Sequence, residues 1–292
     1  MIPPAADPDG DRRRGPCGGL PSPPVTTATM TPGHTSGNPA FSERITTEYL
    51  EPTQAATRTM SRGGVAVKLL VDLAILVAAG AWGWASATTP VAQDAGSGYG
   101  NVTVTLPAGF WLASFAAFFV GIMTSMNPRR AAILGAIYAA LQGYVLGAIS
   151  AAFEAQTEGI VGAAILSTVG VFVVAWLLYV TKIIKPTRKL AFGVTAAIGG
   201  LALLYFVVFI MSWFDWGWLY SDSFRTIGIV VTLIAIVLAA LSFTLDFGRI
   251  DAGVTAGAPK FMEWYCAYGL MVTFIWLYIE ILRLLALLSR NR

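Results

Sequence analysis

The sequence predicts an all-α membrane protein: a bundle of seven transmembrane helices behind a disordered N-terminal tail. Three observations carry this reading. Of 292 residues, 56% are hydrophobic and only 12% charged, whereas a soluble domain has about 25% charged side chains. The mean hydropathy is +0.67. Seven apolar stretches recur, each long enough for a hydrocarbon core about 30 Å thick.

Residues 1–60 hold Pro3, Pro4, Pro8, Pro16, Pro21, Pro23, Pro24, Pro32 and Pro39 among Gly, Ser and Thr, without apolar periodicity. This Pro/Gly/Ser-rich stretch reads as a disordered cytoplasmic tail. Arg12, Arg13 and Arg14 resemble the basic region of a secretion signal, but Gly-Pro-Cys-Gly-Gly follows them and no apolar run comes before Val65. A signal peptide is therefore not expected.

The membrane domain, residues 61–289, contains spans at about 65–87, 107–126, 131–153, 159–181, 190–212, 226–247 and 263–288. Basic residues set the orientation. Arg44, Arg58, Arg62 and Lys68 precede or open the first span; Arg129 and Arg130 follow the second; Lys182, Lys185, Arg188 and Lys189 follow the fourth; Arg249 and Lys260 follow the sixth. The opposite side receives Arg225, Arg290 and Arg292. By the positive-inside rule the N-terminus is cytoplasmic and the C-terminus outside.

Within the spans, Gly135, Gly143 and Gly147 of the third and Gly193, Gly199 and Gly200 of the fifth predict close helix packing, because apolar burial drives little association in lipid. Trp82, Trp84, Trp111, Trp213, Trp216, Trp218 and Tyr220 read as anchors at the outer interface.

Composition excludes several functions. A net charge of +3 without a concentrated basic face argues against nucleic-acid binding. Cys17 and Cys266 make neither a disulfide framework nor a zinc site. The only histidine, His34, lies in the tail, so no intramembrane Ser-His dyad or His-ligated metal is possible. No lysine follows Lys260, so the last span cannot carry a Schiff base to retinal, and no Walker-type loop is present. The expectation is a protein that is not an enzyme and needs no cofactor.

Ionisable residues inside spans are costly and therefore the first functional candidates. They are Lys68, Asp72, Asp246, Glu280 and Arg283. Lys68 and Asp72, four apart, share a face of the first helix and read as a structural pair, with a transport role as the alternative. Glu280 and Arg283 lie roughly 27 Å from Met262 along the last helix, and read as an ion pair at the outer end. Asp246 is expected to end the sixth span at the cytoplasmic boundary, near Arg249, Asp251 and the Arg129/Arg130 turn. An arginine could hold it while ionised and release it when protonated, which makes it the candidate gate, against local capping or pairing as the alternative. Asp251 reads as a solvated loop acid. There is no firm metal site; Asp246 is the candidate for a transient calcium contact.

The stretch Gly269-Leu-Met-Val-Thr-Phe-Ile-Trp-Leu-Tyr-Ile-Glu-Ile-Leu-Arg-Leu-Leu-Ala-Leu-Leu288 resembles the last helix of the Bax inhibitor-1 family. Leu245-Asp246-Phe247, the Arg129-Arg130 turn and Tyr138-Ala-Ala-Leu-Gln-Gly-Tyr-Val-Leu-Gly147 agree with that family in order and spacing. The likeness covers about residues 60–288, and Gly257-Ala-Pro-Lys260 is similar to the extended bacterial variant. The resemblance implies an antiparallel bundle with the last helix central, in a bacterial plasma membrane. It also implies a role in ion homeostasis or stress protection, with some members described as pH-sensitive calcium leaks. In those members one aspartate on the sixth helix and one on the seventh share a proton, and an arginine helps to close the pore. Residue by residue, this maps to Asp246 and to Arg129 or Arg130. The second acid falls on Thr273, which would line the pore as a polar group. A single carboxylate lacks the like-charge coupling of a dyad.

The expected function is thus a calcium or other cation leak, with the lipid bilayer and the ion as partners. The alternative is a non-conducting scaffold that binds and modulates other membrane proteins, such as proteases. A proton-coupled transporter would need repeat symmetry and more acids at mid-depth.

Overall fold

A computed structural model of the chain describes residues 59–90, 102–212 and 222–289. Seven α-helices occur among them: α1 (Arg62–Ala87), α2 (Phe110–Met126), α3 (Ala131–Glu154), α4 (Ile160–Val180), α5 (Arg188–Ser212), α6 (Asp222–Thr255) and α7 (Met262–Ser289). Six are long and apolar enough to cross a membrane. The 17 residues of α2 rise about 26 Å, at the lower limit for a span. The anchors expected at Trp213, Trp216, Trp218 and Tyr220, and nearly all of the tail, lie outside the described residues.

Local chemistry sets the helix ends. Ser61 caps α1, its hydroxyl accepting from the Gly64 N–H at 3.0 Å, which satisfies one of the free N–H groups of the first turn. Glu154 at the end of α3 reaches forward to accept from the N–H groups of Gly159 and Val161 at the start of α4. Gly159 occupies the left-handed region (φ 79°), as the tight turn between these two helices requires. Pro128–Arg130 form a single 3-10 turn between α2 and α3. After α1 the chain makes a small hairpin not expected from sequence, β1 (Thr88–Pro90) pairing antiparallel with β2 (Val102–Val104).

The last helix is the hub. α7 packs against α1, α3, α4 and α6, and Tyr265 through Met271 are buried without interruption, as expected of a helix that is apolar all round. The starts of α1, α3, α5 and α7 lie with the ends of α2, α4 and α6 at one end of the bundle, here termed proximal. Arg62 meets Asp251 of α6, the Tyr265 hydroxyl donates to the Ser125 carbonyl of α2, and Tyr179 of α4 also reaches Asp251.

The tightest seam joins α1 to α3. A methyl group on Gly143 would overlap the Leu76 carbonyl, one on Gly147 the Gly80 carbonyl, and one on Gly83 the Tyr144 carbonyl. Here the predicted small-residue packing holds. In α5 it does not: Gly193, Gly199 and Gly200 face open space. α5 instead packs on α6 through Ala191, Val194 and Leu201, and presents Phe192, Leu203, Phe206 and Phe209 outward, a face suited to lipid. Trp82 and Trp111 are likewise exposed, at 70% and 64%, where interfacial anchors belong.

Candidate functional site

Among the described residues, the buried ionisable groups other than Asp72 fall into three clusters, two at the proximal end and one at the other. The first is built around Asp246. The sixth helix does not stop at this residue, as the sequence suggested, but runs nine residues further to Thr255. The Thr-Leu-Asp-Phe-Gly-Arg-Ile-Asp stretch is still periodic, its apolar members Leu245 and Ile250 packing inward. Asp246 therefore sits about 13 Å inside the helix end and is 0% exposed.

Asp246 Oδ2 accepts from the Thr273 hydroxyl of α7 at 3.0 Å; that hydroxyl also lies 3.3 Å from the Gly269 carbonyl. Thus the seventh-helix position that the resemblance aligned with a second acid does meet Asp246, as a hydroxyl donor. Phe243 and Phe247 flank Asp246 on α6 and gather with Phe172 of α4 and Phe274 of α7, ring centroids 4.5 to 6.4 Å apart.

The arginine buried near Asp246 is Arg249, one turn along the same helix and 5% exposed. It lies near Tyr265 and Cys266 of α7, and Cys266 lies near Asp246. Arg129 and Arg130, expected as the latch, are both exposed, on the 3-10 turn that packs against α2, α3 and α7. The turn lies at the bundle's end, which leaves both residues exposed, whereas Arg249 is buried on the extended part of α6.

The second cluster links α1 to α7. The expected Lys68–Asp72 pair does not form: the Lys68 ammonium binds Glu263 Oε2 across the interface. Lysine preceding an acid by four residues is the weaker helical orientation, and helical side chains lean toward the N-terminus, which brings Lys68 to Glu263. Glu263 Oε1 accepts from the Ser61 N–H at 2.9 Å and from its hydroxyl at 3.1 Å. A methyl on Gly64 would strike the Glu263 carboxylate, so the absence of a side chain there makes the contact possible. Met60 N–H donates to the Ala258 carbonyl, and Thr59 forms a β-bridge with Pro259. The chain entering α1 is thereby strapped to the α6–α7 loop. Asp251, expected to be solvated, accepts from Arg62 at 2.6 Å and from the Tyr179 hydroxyl at 2.5 Å.

At the far end Glu280, 2% exposed, accepts from the Tyr205 hydroxyl of α5, 3.1 Å from both oxygens, and from Trp276 Nε1 at 3.3 Å. Arg283 lies 3.6 Å from Glu280 and stacks on the Tyr205 ring. The expected Glu280–Arg283 pair is present and doubles as the attachment of α5 to the hub.

Sequence reasoning missed Glu263 as a site residue and, although it placed Arg249 near Asp246, gave the latch to Arg129 or Arg130. The available clue was Gly63-Gly64 before Lys68, which leaves room for a partner side chain. As for a metal, no group of three or more His, Cys, Asp or Glu converges among the described residues. Asp246 and Thr273 together offer fewer oxygens than the six to eight that a calcium ion takes.

Helices of membrane-spanning length, an outward face of large apolar side chains and buried acids held at the hub define an integral membrane protein. The chain belongs to the Bax inhibitor 1 like family, which matches residues 38–290. No curated protein and no solved structure matches it.

Proposed function

We propose that this family member is a cation leak of the bacterial plasma membrane, with Ca²⁺ as the leading permeant ion, its N-terminus cytoplasmic and its C-terminus outside. It performs no covalent chemistry. The observation that carries the reading is Asp246: a fully buried acid deep in a span, bridged to Thr273 of the hub helix beneath an aromatic cluster. Such an acid is expensive in a membrane unless it serves a pathway. Thr273 and the Phe172, Phe243, Phe247 and Phe274 rings form the closed gate, since a hydrophobic constriction stops ions by excluding water. Arg249 supplies the counter-charge that the resemblance assigned to Arg129 or Arg130, because it is the arginine buried within one turn of Asp246.

Calcium flux into liposomes holding the purified full-length protein tests this, with Asp246→Asn beside wild type at acidic and alkaline pH. Wild type is expected to conduct, and the variant to lose closure or pH response, with a flux change of several fold. Equal flux in both removes Asp246 from the gate. If wild type itself does not conduct, the non-conducting scaffold that binds other membrane proteins takes its place.

A further inference from the structure

Among the described residues, Asp72 is the buried ionisable residue that none of these clusters absorbs. It is 1% exposed, and neither carboxylate oxygen meets a hydrogen-bond partner among the described residues. Two independent registers give its depth. Gly64 faces Glu263, so Asp72, eight residues on, lies about 12 Å deeper, and Thr273, ten residues beyond Glu263, about 15 Å deeper. Along the α1–α3 seam Leu76 faces Gly143 and Gly80 faces Gly147, while Gly135 faces Tyr268. Stepping back one turn puts Asp72 level with Ala139, and Ala139 level with Val272. Both routes place Asp72 within one helical turn of the Asp246–Thr273 level, on the α1 side of the hub.

The charged and titratable groups of the helices packed against α1 are engaged elsewhere. Lys68 of α1 and Glu263 of α7 bind each other, and Asp251 of α6 is held by Arg62 and Tyr179. Asp246 is bonded by Thr273, and Glu280 by Tyr205 and Trp276 at the far end. Arg249 lies beside Tyr265 and Cys266 of α7. On α3, Tyr138 packs edge-on against Tyr268, Tyr144 packs at a tilt against Trp82, and Glu154 caps the start of α4.

We infer that Asp72 is a proton-binding site within the membrane, its carboxyl held as the neutral acid between α1, α3 and α7 at the level of Asp246 and Thr273. A bare carboxylate in an apolar interior is so costly that the group takes up a proton instead. A divalent ion would need six to eight oxygens, and among the described residues no cluster of acids stands there to supply them; a proton needs one carboxyl. Loss of that proton places a charge in the seam and favours parting of α1 from the hub. The site stands whether or not the protein conducts.

Infrared spectroscopy of the full-length protein in lipid at neutral pH tests it through the C=O stretch of protonated carboxylic acids. Wild type is expected to show this band. Asp72→Asn, which copies the shape of the neutral acid, should reduce it by one carboxyl, and Asp246→Asn should leave that Asp72 contribution in place. Asp72→Glu should return a band at a shifted frequency. No band in wild type, an unchanged band in Asp72→Asn, or no returning band in a folded Asp72→Glu protein overturns the assignment.

Discussion

The Lys68–Glu263 clamp makes an asymmetric prediction. The two side chains are 13% and 1% exposed, so the consequences of removing each differ. In Lys68→Met, Glu263 stays buried as an anion with only its two Ser61 hydrogen bonds. Breaking a buried pair in this way costs roughly 3–5 kcal/mol, and the Ser61 bonds hold the loss to the lower end, about 3 kcal/mol. In Glu263→Gln the amide oxygen still accepts from Ser61, while Lys68, lying 5.4 Å over the Trp264 ring, can extend its ammonium toward water. That loss is about 1 kcal/mol. The double variant Lys68→Met/Glu263→Gln buries no charge and should resemble Glu263→Gln, giving a coupling of about 3 kcal/mol, or roughly 160-fold in the folded-to-unfolded ratio. Equilibrium unfolding of the full-length protein in mixed micelles, followed by circular dichroism, measures all three. Equal losses in the two single variants, or simple addition in the double, would refute the reasoning and show that water reaches the pair.

Three further outcomes follow from the packing and the hydrogen bonds. Gly147→Ala should destabilise by about 1–3 kcal/mol in the same assay, because its methyl meets the rigid Gly80 carbonyl rather than a side chain that can move. Gly199→Ala, with open space around it, should be neutral or stabilising by up to about 1 kcal/mol. Tyr205→Phe removes the hydroxyl that ties α5 to Glu280, at about 1.5–3 kcal/mol for a hydrogen bond to a charged group. Faster hydrogen exchange in 201–212 checks it, and unchanged exchange there would mean that the α5–α6 contact alone holds the helix.

Much of the architecture was legible because lipid leaves a chain few options. Every backbone polar group must be satisfied within its own segment, so apolar length and helix ends coincide: the predicted third span 131–153 became Ala131–Glu154, and the seventh, 263–288, became Met262–Ser289. The largest departure was α6, whose end was placed at Phe247. The helix instead continues through Gly-Arg-Ile-Asp, since the polar residues there find partners in Tyr179, Arg62 and the hub. The fifth span shows the converse limit, because its glycines resemble those of α3 by composition, yet nothing packs on them.

The polar residues divide along the same line. Hydropathy and the spacing of charges sufficed to single out Asp72, Asp246, Glu280 and Arg283, because an ionisable group among apolar neighbours is conspicuous in one dimension. Their partners come from helices far apart in the chain: Glu263 lies 195 residues from Lys68, Tyr205 lies 75 from Glu280 and Thr273 lies 27 from Asp246. No local periodicity encodes such pairings; the glycine seam of α1 and α3 and the central position of α7 decide them. The sequence alone determined which residues could be buried and charged within the membrane. The tertiary structure decided which of them are compensated, because compensation depends on what the neighbouring helix brings to the same depth.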